Sequence, residues 1–447
     1  MTKPQNRPSP AHPAGWKFET QQIHAGQVAD PVTGARALPI YQSTSFVFDS
    51  STQAANRFAL RELGPIYSRI NNPTQEVVEN RLAALEGGVG ALLLASGQAA
   101  TSYAILNLAS AGDHIVASPS LYGGSYNLLK YTLARLGIAT TFVADPLDTD
   151  QWLQAVQPNT KAFFGESLPN PQNDVLDIER VAQAAHSVGL PLLVDNTLPT
   201  PYLLKPLDYG ADLVVHSVSK YLGGHGTSIA GAIVDAGRFD YAAEPEKFPG
   251  FNTPDPSYKG LVFAKDFGPG GAFGVNLSYI LKARVNLLRD MGAAISPTNA
   301  FNIAIGLETL SLRMERHVEN TRKVAQYLQE HPAVASVQWA GLPDSPYYEL
   351  AQKYLPRGAG AVLGFTLKDA DAVRAQKFVD ALELHSLLVN IGDVRSLAVH
   401  PASTTHSQAS EAELAAIGIS PSFIRLSVGL EHIDDILADL DLGFAAL

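Results

Sequence analysis

The 447-residue chain contains no cysteine and only three methionines and three tryptophans. Without cysteine there is no disulfide framework, no thiolate nucleophile and no cysteine-ligated metal site. Its absence fits a cytoplasmic protein. Charge is sparse at 17% of residues and its balance is acidic, −11 at pH 7. Nucleic acids and anionic membranes attract clustered positive charge, so neither is expected as a partner. A local cationic pocket for an anionic ligand remains compatible with that balance. Long apolar runs are also missing: no stretch approaches the roughly 20 residues of a membrane span. The opening, with Pro4, Pro8, Pro10 and Pro13, lacks the basic start and apolar core of a secretory signal. It reads as a disordered tail over 1–17. His216, His225, His317, His400 and His406 show no H-E-x-x-H or equivalent spacing, so no metal is expected.

What is present is a compact composition, 46% hydrophobic, long enough for two or three domains. Asn72-Pro73 opens a helix well, as an N-cap followed by proline at the first position, and Gly87-Gly88 stops it. Strands are expected near 91–95, 114–117, 139–143, 162–165, 192–195, 213–216 and 229–234. Helices are expected between them, including 122–136, 150–156 and 177–188. This alternation implies crossovers and an α/β fold with a mostly parallel sheet. The domains are expected as an irregular arm over 18–72, a large domain over 73–297 and a smaller α+β domain over 298–447. The large domain carries an insertion over 238–274, rich in proline, glycine and aromatics.

The apolar strand Leu213-Val214-Val215 leads into Ser217-Val218-Ser219-Lys220 and a glycine run. A second apolar strand, Leu192-Leu193-Val194, ends on Asp195. A lysine and an acid brought to one sheet edge, with small donors around them, suit pyridoxal phosphate (PLP). The lysine bonds the aldehyde, the acid holds the pyridine nitrogen protonated and the donors hold the phosphate. Ser96-Gly97-Gln98 lies where a strand hands over to a helix, so outward N–H groups favour a phosphate there. Ser217 and Ser219 add hydroxyl donors. Tyr122 opens a helix at a neighbouring strand end, where its ring could stack on a flat cofactor. Arg425 interrupts the apolar strand Phe423-Ile424-Arg425-Leu426 and suits bidentate binding of a carboxylate. Asn170, in Glu166-Ser167-Leu168-Pro169-Asn170-Pro171, follows another strand and could touch both cofactor and substrate. Taken singly, each has a plainer reading: solvated lysine, helix cap, tight turn, packing ring or ordinary ion pair.

Together these residues resemble the cystathionine-synthase-like family of PLP enzymes in cysteine and methionine metabolism, over nearly the whole chain from about Thr20. The most specific pieces are Tyr67-Ser68-Arg69-Ile70-Asn71-Asn72-Pro73-Thr74, Ser96-Gly97-Gln98-Ala99-Ala100, the Lys220 segment and Arg425-Leu426-Ser427-Val428-Gly429. The resemblance implies an aspartate-aminotransferase-like, type I fold. It also implies that Lys220 bonds PLP, Asp195 holds its ring nitrogen and Tyr122 stacks on the ring. Ser96, Gly97, Gln98, Ser217 and Ser219 would hold the phosphate. Tyr67 and Arg69 would reach the phosphate of a neighbouring subunit, implying a catalytic dimer, usually paired into a homotetramer. Arg425, Asn170 and the Ser396 backbone region would grip the carboxylate of an amino acid substrate.

Two positions depart from the family's usual pattern: Gln98 stands where methionine is common, and Gly124 where the methionine γ-lyase branch carries cysteine. The insertion at 248–267 resembles the branch that replaces the acetoxy group of O-acetylhomoserine with sulfide or methanethiol. Cystathionine γ-synthase and γ-lyase chemistries on the same scaffold, and a ligand-binding relative without turnover, stay open on these residues.

Overall fold

The computed structural model describes residues 15–404 and 419–447; His406 and most of the expected tail, 1–14, lie outside them. The described strands, in chain order, are β1 Gly90–Leu94, β2 His114–Ala117, β3 Ala139–Phe142, β4 Thr160–Glu166, β5 Leu192–Asp195 and β6 Leu213–Ser217. They continue with β7 Gly231–Asp235, β8 Val334–Gln338, β9 Val362–Leu367, β10 Ser386–Leu387, β11 Leu397–Val399 and β12 Phe423–Ser427. Two compact units divide them. The first takes the described residues up to Leu108 with Asp212–Val218 and Thr227–Thr309. The second takes Ala109–Ala211, Ser219–Gly226 and the described residues from Leu310 onward.

In the first unit, helix Pro73–Glu86 starts and stops on its expected signals. The Asn72 side chain accepts from Thr74 N–H at 2.9 Å, and Gly87 takes φ +86°. Val78, Leu82 and Leu85 turn one face of it inward. Strands β1 and β6 each pair antiparallel with β7. The reason is local: no crossover helix separates β6 from β7, so the chain returns in the opposite direction. Segment 18–71 is mostly irregular, with short helices Phe18–His24 and Ser51–Phe58 and one bridge between Ser45 and Tyr67. The insertion condenses on its aromatics: Tyr241 stacks on Phe251 at 4.2 Å, and Phe248 meets Tyr241 edge-on at 5.2 Å. Burying these rings gives the segment a core of its own.

In the second unit, β4 lies beside β5 and β2, and β2 beside β3, all parallel. Every residue of β2 and β4 is buried, as expected where helices cover both faces of a parallel sheet. The expected helix 122–136 forms in three pieces, Gly123–Asn127, a π-helical Leu128–Thr132 and Leu133–Arg135. A second sheet has the order β10-β11-β12-β9-β8 and is antiparallel except for β10/β11. Helices Leu310–Glu330, Ala372–Asp380 and Ile433–Ala445 accompany it, with Phe365, Phe378 and Leu440 buried. The result is α/β, with a mostly parallel arrangement and a smaller α+β sheet. Among the described residues no helix is long and apolar enough to cross a membrane.

Candidate active site

Parallel strands β4 and β5 carry polar residues at their carboxyl ends, the edge at which open α/β sheets bind ligands. Asp195 closes β5, and its Oδ1 accepts from Thr197 N–H at 2.9 Å. Next to it, Asn196 is fully buried between the Ser167 hydroxyl and the Leu204 carbonyl. Glu166 closes β4 in register with Asp195. Its Oε1 accepts from Tyr122 N–H at 2.7 Å. The Tyr122 side chain itself is half exposed, so its ring is available to a ligand.

Lys220 belongs to the same unit, and its Nζ donates to the side-chain oxygen of Asn390. Burial, and then the charge of Arg425, hold its amine below the ordinary lysine range. Arg425 lies buried in the middle of β12, where burial draws it down to about 10. One guanidinium nitrogen donates to the Asn390 carbonyl at 2.8 Å, and another reaches Asn170 Oδ1 at 3.4 Å. Among the described residues its Nε is buried without a partner. A buried guanidinium with an unused donor is poised for a carboxylate, because an unmet charged donor is costly. Arg313 supports this region from the helix Leu310–Glu330, donating to the carbonyls of Tyr221 at 2.7 Å and Leu222 at 3.2 Å.

Arg425 thus reaches Asn170 and is joined to Lys220 through Asn390, a residue the sequence did not single out. Its signal was present: one asparagine interrupts the apolar run Leu387-Leu388-Val389-Asn390-Ile391, as Arg425 interrupts β12. Ser396 is placed differently. Its N–H and hydroxyl donate to Glu431 at 2.7 and 2.9 Å, its hydroxyl oxygen accepts from Gly429 N–H, and its carbonyl accepts from Ser386 N–H. Among the described residues, both of its donors therefore go to Glu431. Ser219 is half-buried beside Lys220.

The first unit holds Ser96, Gly97, Gln98 and Ser217. Ser96 caps helix Gly97–Leu106, its hydroxyl accepting from Ala99 N–H at 3.1 Å. Gly97 lies so close to Ser217 that a Cβ on it would stand 2.6 Å from the serine Cβ and 2.9 Å from its Oγ. Only glycine leaves the backbone open there, and Gln98 beside it is exposed. Tyr67 and Arg69 are exposed in the same unit, with the Arg69 guanidinium 5.5 Å from the Tyr67 ring centroid and donating to the Arg289 carbonyl. A cavity of about 780 Å³ in the second unit, lined by Asp174, Trp339 and Tyr347 among others, includes none of these groups.

An amine with lowered basicity, an acid at a strand end and a presented aromatic ring in the second unit, and a glycine-opened helix start in the first, are the kinds of group that PLP requires. Residues 19–445 match the family of Cys/Met metabolism PLP-dependent enzymes. The chain belongs to that family. Within it, the chain is 55% identical to an O-acetyl-L-homoserine sulfhydrylase of Corynebacterium glutamicum, covering 97% of this chain and 98% of that one. It is 54% identical to a protein of the same name from Leptospira meyeri, over 96% and 97% of the two chains. Among solved structures, an O-acetylhomoserine (thiol)-lyase from Campylobacter jejuni is similar, with a TM-score of 0.91 and 41% identity. That match covers 96% of this chain and 100% of the other, which holds a pyridoxyl-lysine monophosphate. The cofactor of this Cys/Met metabolism enzyme is PLP, and its architecture is the type I fold of its neighbours.

Proposed function

We propose that the chain replaces the acetoxy group on the γ-carbon of O-acetyl-L-homoserine with sulfide, giving L-homocysteine and acetate; methanethiol would give L-methionine. The observation that carries this reading is the convergence of Lys220 and Arg425 on Asn390, which sets an amine beside a carboxylate receptor. The spacing suits an amino acid whose carboxylate lies on Arg425 and Asn170 while its α-carbon lies within reach of Lys220. Names of the relatives at 50–55% identity support the choice of ester and sulfur donor.

Bound PLP supplies an electron-withdrawing pyridinium that stabilises negative charge developing on the substrate. Lys220 would bond it at rest and, once released by the substrate amine, carry protons between the substrate's α-carbon and its neighbours. An amine held below the ordinary lysine range is neutral at lower pH, as a proton acceptor must be. Asp195 would accept the ring N–H and keep it charged, and Tyr122 would cover the ring face. The N–H groups at Gly97 and Gln98, with the hydroxyls of Ser96, Ser217 and Ser219, would hold the phosphate. Arg425 and Asn170 would fix the carboxylate through charge-assisted bonds, with Asn390 aligning both Lys220 and Arg425.

Exposed Tyr67 and Arg69, in an arm that also exposes Val32, Val47 and Phe58, fit a role in a second subunit's phosphate site. A catalytic dimer, paired into a homotetramer in the cytoplasm, is the corresponding assembly. Functionally, 18–72 would be the arm, 73–297 would bind the cofactor and 298–447 would supply Arg425 for the substrate carboxylate. The reading is tested by supplying O-acetylhomoserine and O-succinylhomoserine, each with sulfide or cysteine. Homocysteine formed fastest from the acetyl ester and sulfide supports it; cystathionine as the main product points to a γ-synthase instead.

A further inference from the structure

Glu166 has no part in the chemistry above, yet it is nearly buried where the proposed cofactor ring would lie against Asp195 and Tyr122. It ends β4 in register with Asp195 at the end of β5, so both side chains leave the sheet on the same face. Two carboxylates in that relation do not both ionise cheaply. Their surroundings differ in a way that decides which keeps the charge. Asp195 is the less buried of the two and accepts from Thr197 N–H. Glu166 is 6% exposed, and among the described residues no cation pairs with it. The groups that face it are Asp195 from β5, Tyr122 N–H and the Ser125 hydroxyl.

The contact with Tyr122 gives Glu166 a task. Tyr122 stands just before helix Gly123–Asn127, where an N–H has no partner within the helix, and Glu166 Oε1 meets it at 2.7 Å. A half-exposed ring is not fixed by packing, so its direction follows from its backbone. We propose that Glu166 is a neutral carboxylic acid that positions Tyr122 through this bond and leaves Asp195 as the one negative charge of the pair. Burial first, and then the charge of Asp195, push its carboxyl well above the ordinary glutamate range, against the two donors. The inference rests on the assignment of Asp195 and Tyr122 to the cofactor ring. An acid kept neutral would let that ring feel one carboxylate rather than two.

The test is infrared spectroscopy of the PLP-loaded enzyme near neutral pH, with PLP affinity measured separately on the apoenzyme. The wild type should show the carbonyl stretch of a protonated carboxyl group that Glu166→Gln removes. In Asp195→Asn that band should vanish at lower pH than in the wild type, because the like charge has gone. Glu166→Gln keeps an acceptor for Tyr122 and is already neutral, so PLP affinity should stay within about threefold and the cofactor's visible circular dichroism unchanged. Glu166→Ala, which leaves Tyr122 N–H unmet, should weaken PLP by about tenfold and alter that dichroism. Absence of the band in the wild type, its persistence in Glu166→Gln, or a loss of PLP in Glu166→Gln equal to that in Glu166→Ala overturns the proposal. Failure of the underlying site assignment would look different: borohydride would fix PLP to a lysine other than Lys220, whatever the infrared band does.

Discussion

Lys220 and Arg425 meet at a single residue: the amine donates to the Asn390 side-chain oxygen and the guanidinium to the Asn390 carbonyl. One residue, through its side-chain amide and its backbone carbonyl, thereby aligns the proposed base and the proposed carboxylate receptor, which come from distant parts of the sequence. Asn390→Ala removes only the side-chain partner of Lys220 and leaves the carbonyl in place. The variant should retain PLP and lose about tenfold in kcat with a smaller change in KM, as a lost neutral-to-charged hydrogen bond predicts. Steady-state kinetics decide the matter; a raised KM at unchanged kcat would make Asn390 a binding residue only.

The charge of Arg425 and the burial of Lys220 both keep the Lys220 amine below its ordinary range. Only the neutral amine attacks an aldehyde, so uptake of PLP by the apoenzyme should begin at lower pH than for a free lysine. Arg425→Gln removes the repelling cation and should move the midpoint of the uptake rate to higher pH, while Arg425→Lys should leave it nearly in place. The lysine variant still lacks the planar fork. With bonds to charged groups worth about 1.5–3 kcal/mol, kcat/KM should fall by about tenfold or more. Stopped-flow uptake against pH checks the first claim, and turnover checks the second. An unmoved midpoint in Arg425→Gln would separate the two residues electrostatically.

Gly97→Ala places a methyl group 2.6 Å from the Ser217 Cβ. Overpacking of this kind costs about 1–3 kcal/mol, so both thermal midpoint and PLP affinity should drop. Adding Ser217→Gly removes the contacts with the serine Cβ and Oγ but leaves its Cα 2.8 Å from the methyl, so it should recover the thermal midpoint only in part. It should not recover the affinity, since the hydroxyl proposed for the phosphate is gone. Calorimetry and PLP titration of the single and double variants measure the two effects; joint recovery would argue against a phosphate role for Ser217.

Arg69→Ala should lose PLP affinity and be rescued in trans. Mixed with Lys220→Ala chains it should form hybrids in which one site has every residue intact. Activity recovered in purified hybrids supports a reach between subunits, whereas none would put Arg69 in the site of its own chain.

Much of this site is written locally. A lysine, an aspartate and an arginine each end or interrupt an apolar strand, and the Asn72 cap and Gly87 stop frame a helix within one stretch of sequence. Partnerships across long separations are not written so. Asn390 has value only because Lys220 and Arg425 fold onto it, and the donors of Ser396 are engaged by Glu431, 35 residues away. Direction is likewise hidden: the apolar pattern of β7 fits either pairing, and the missing crossover after β6 decides for antiparallel. The π-helical stretch after Tyr122 leaves no mark in residue spacing. Glu166 carried the same strand-end signal as Asp195, but its register with that aspartate appears only once the sheet is formed.

The most direct test of the central claim follows the products of O-acetyl-L-homoserine and sulfide by mass spectrometry, with purified enzyme saturated with PLP. Homocysteine and acetate should appear in equal amounts, and both should disappear in a folded Lys220→Ala variant. Loaded wild-type enzyme that forms no homocysteine, or that mainly releases a 2-oxo acid and ammonia, would contradict it.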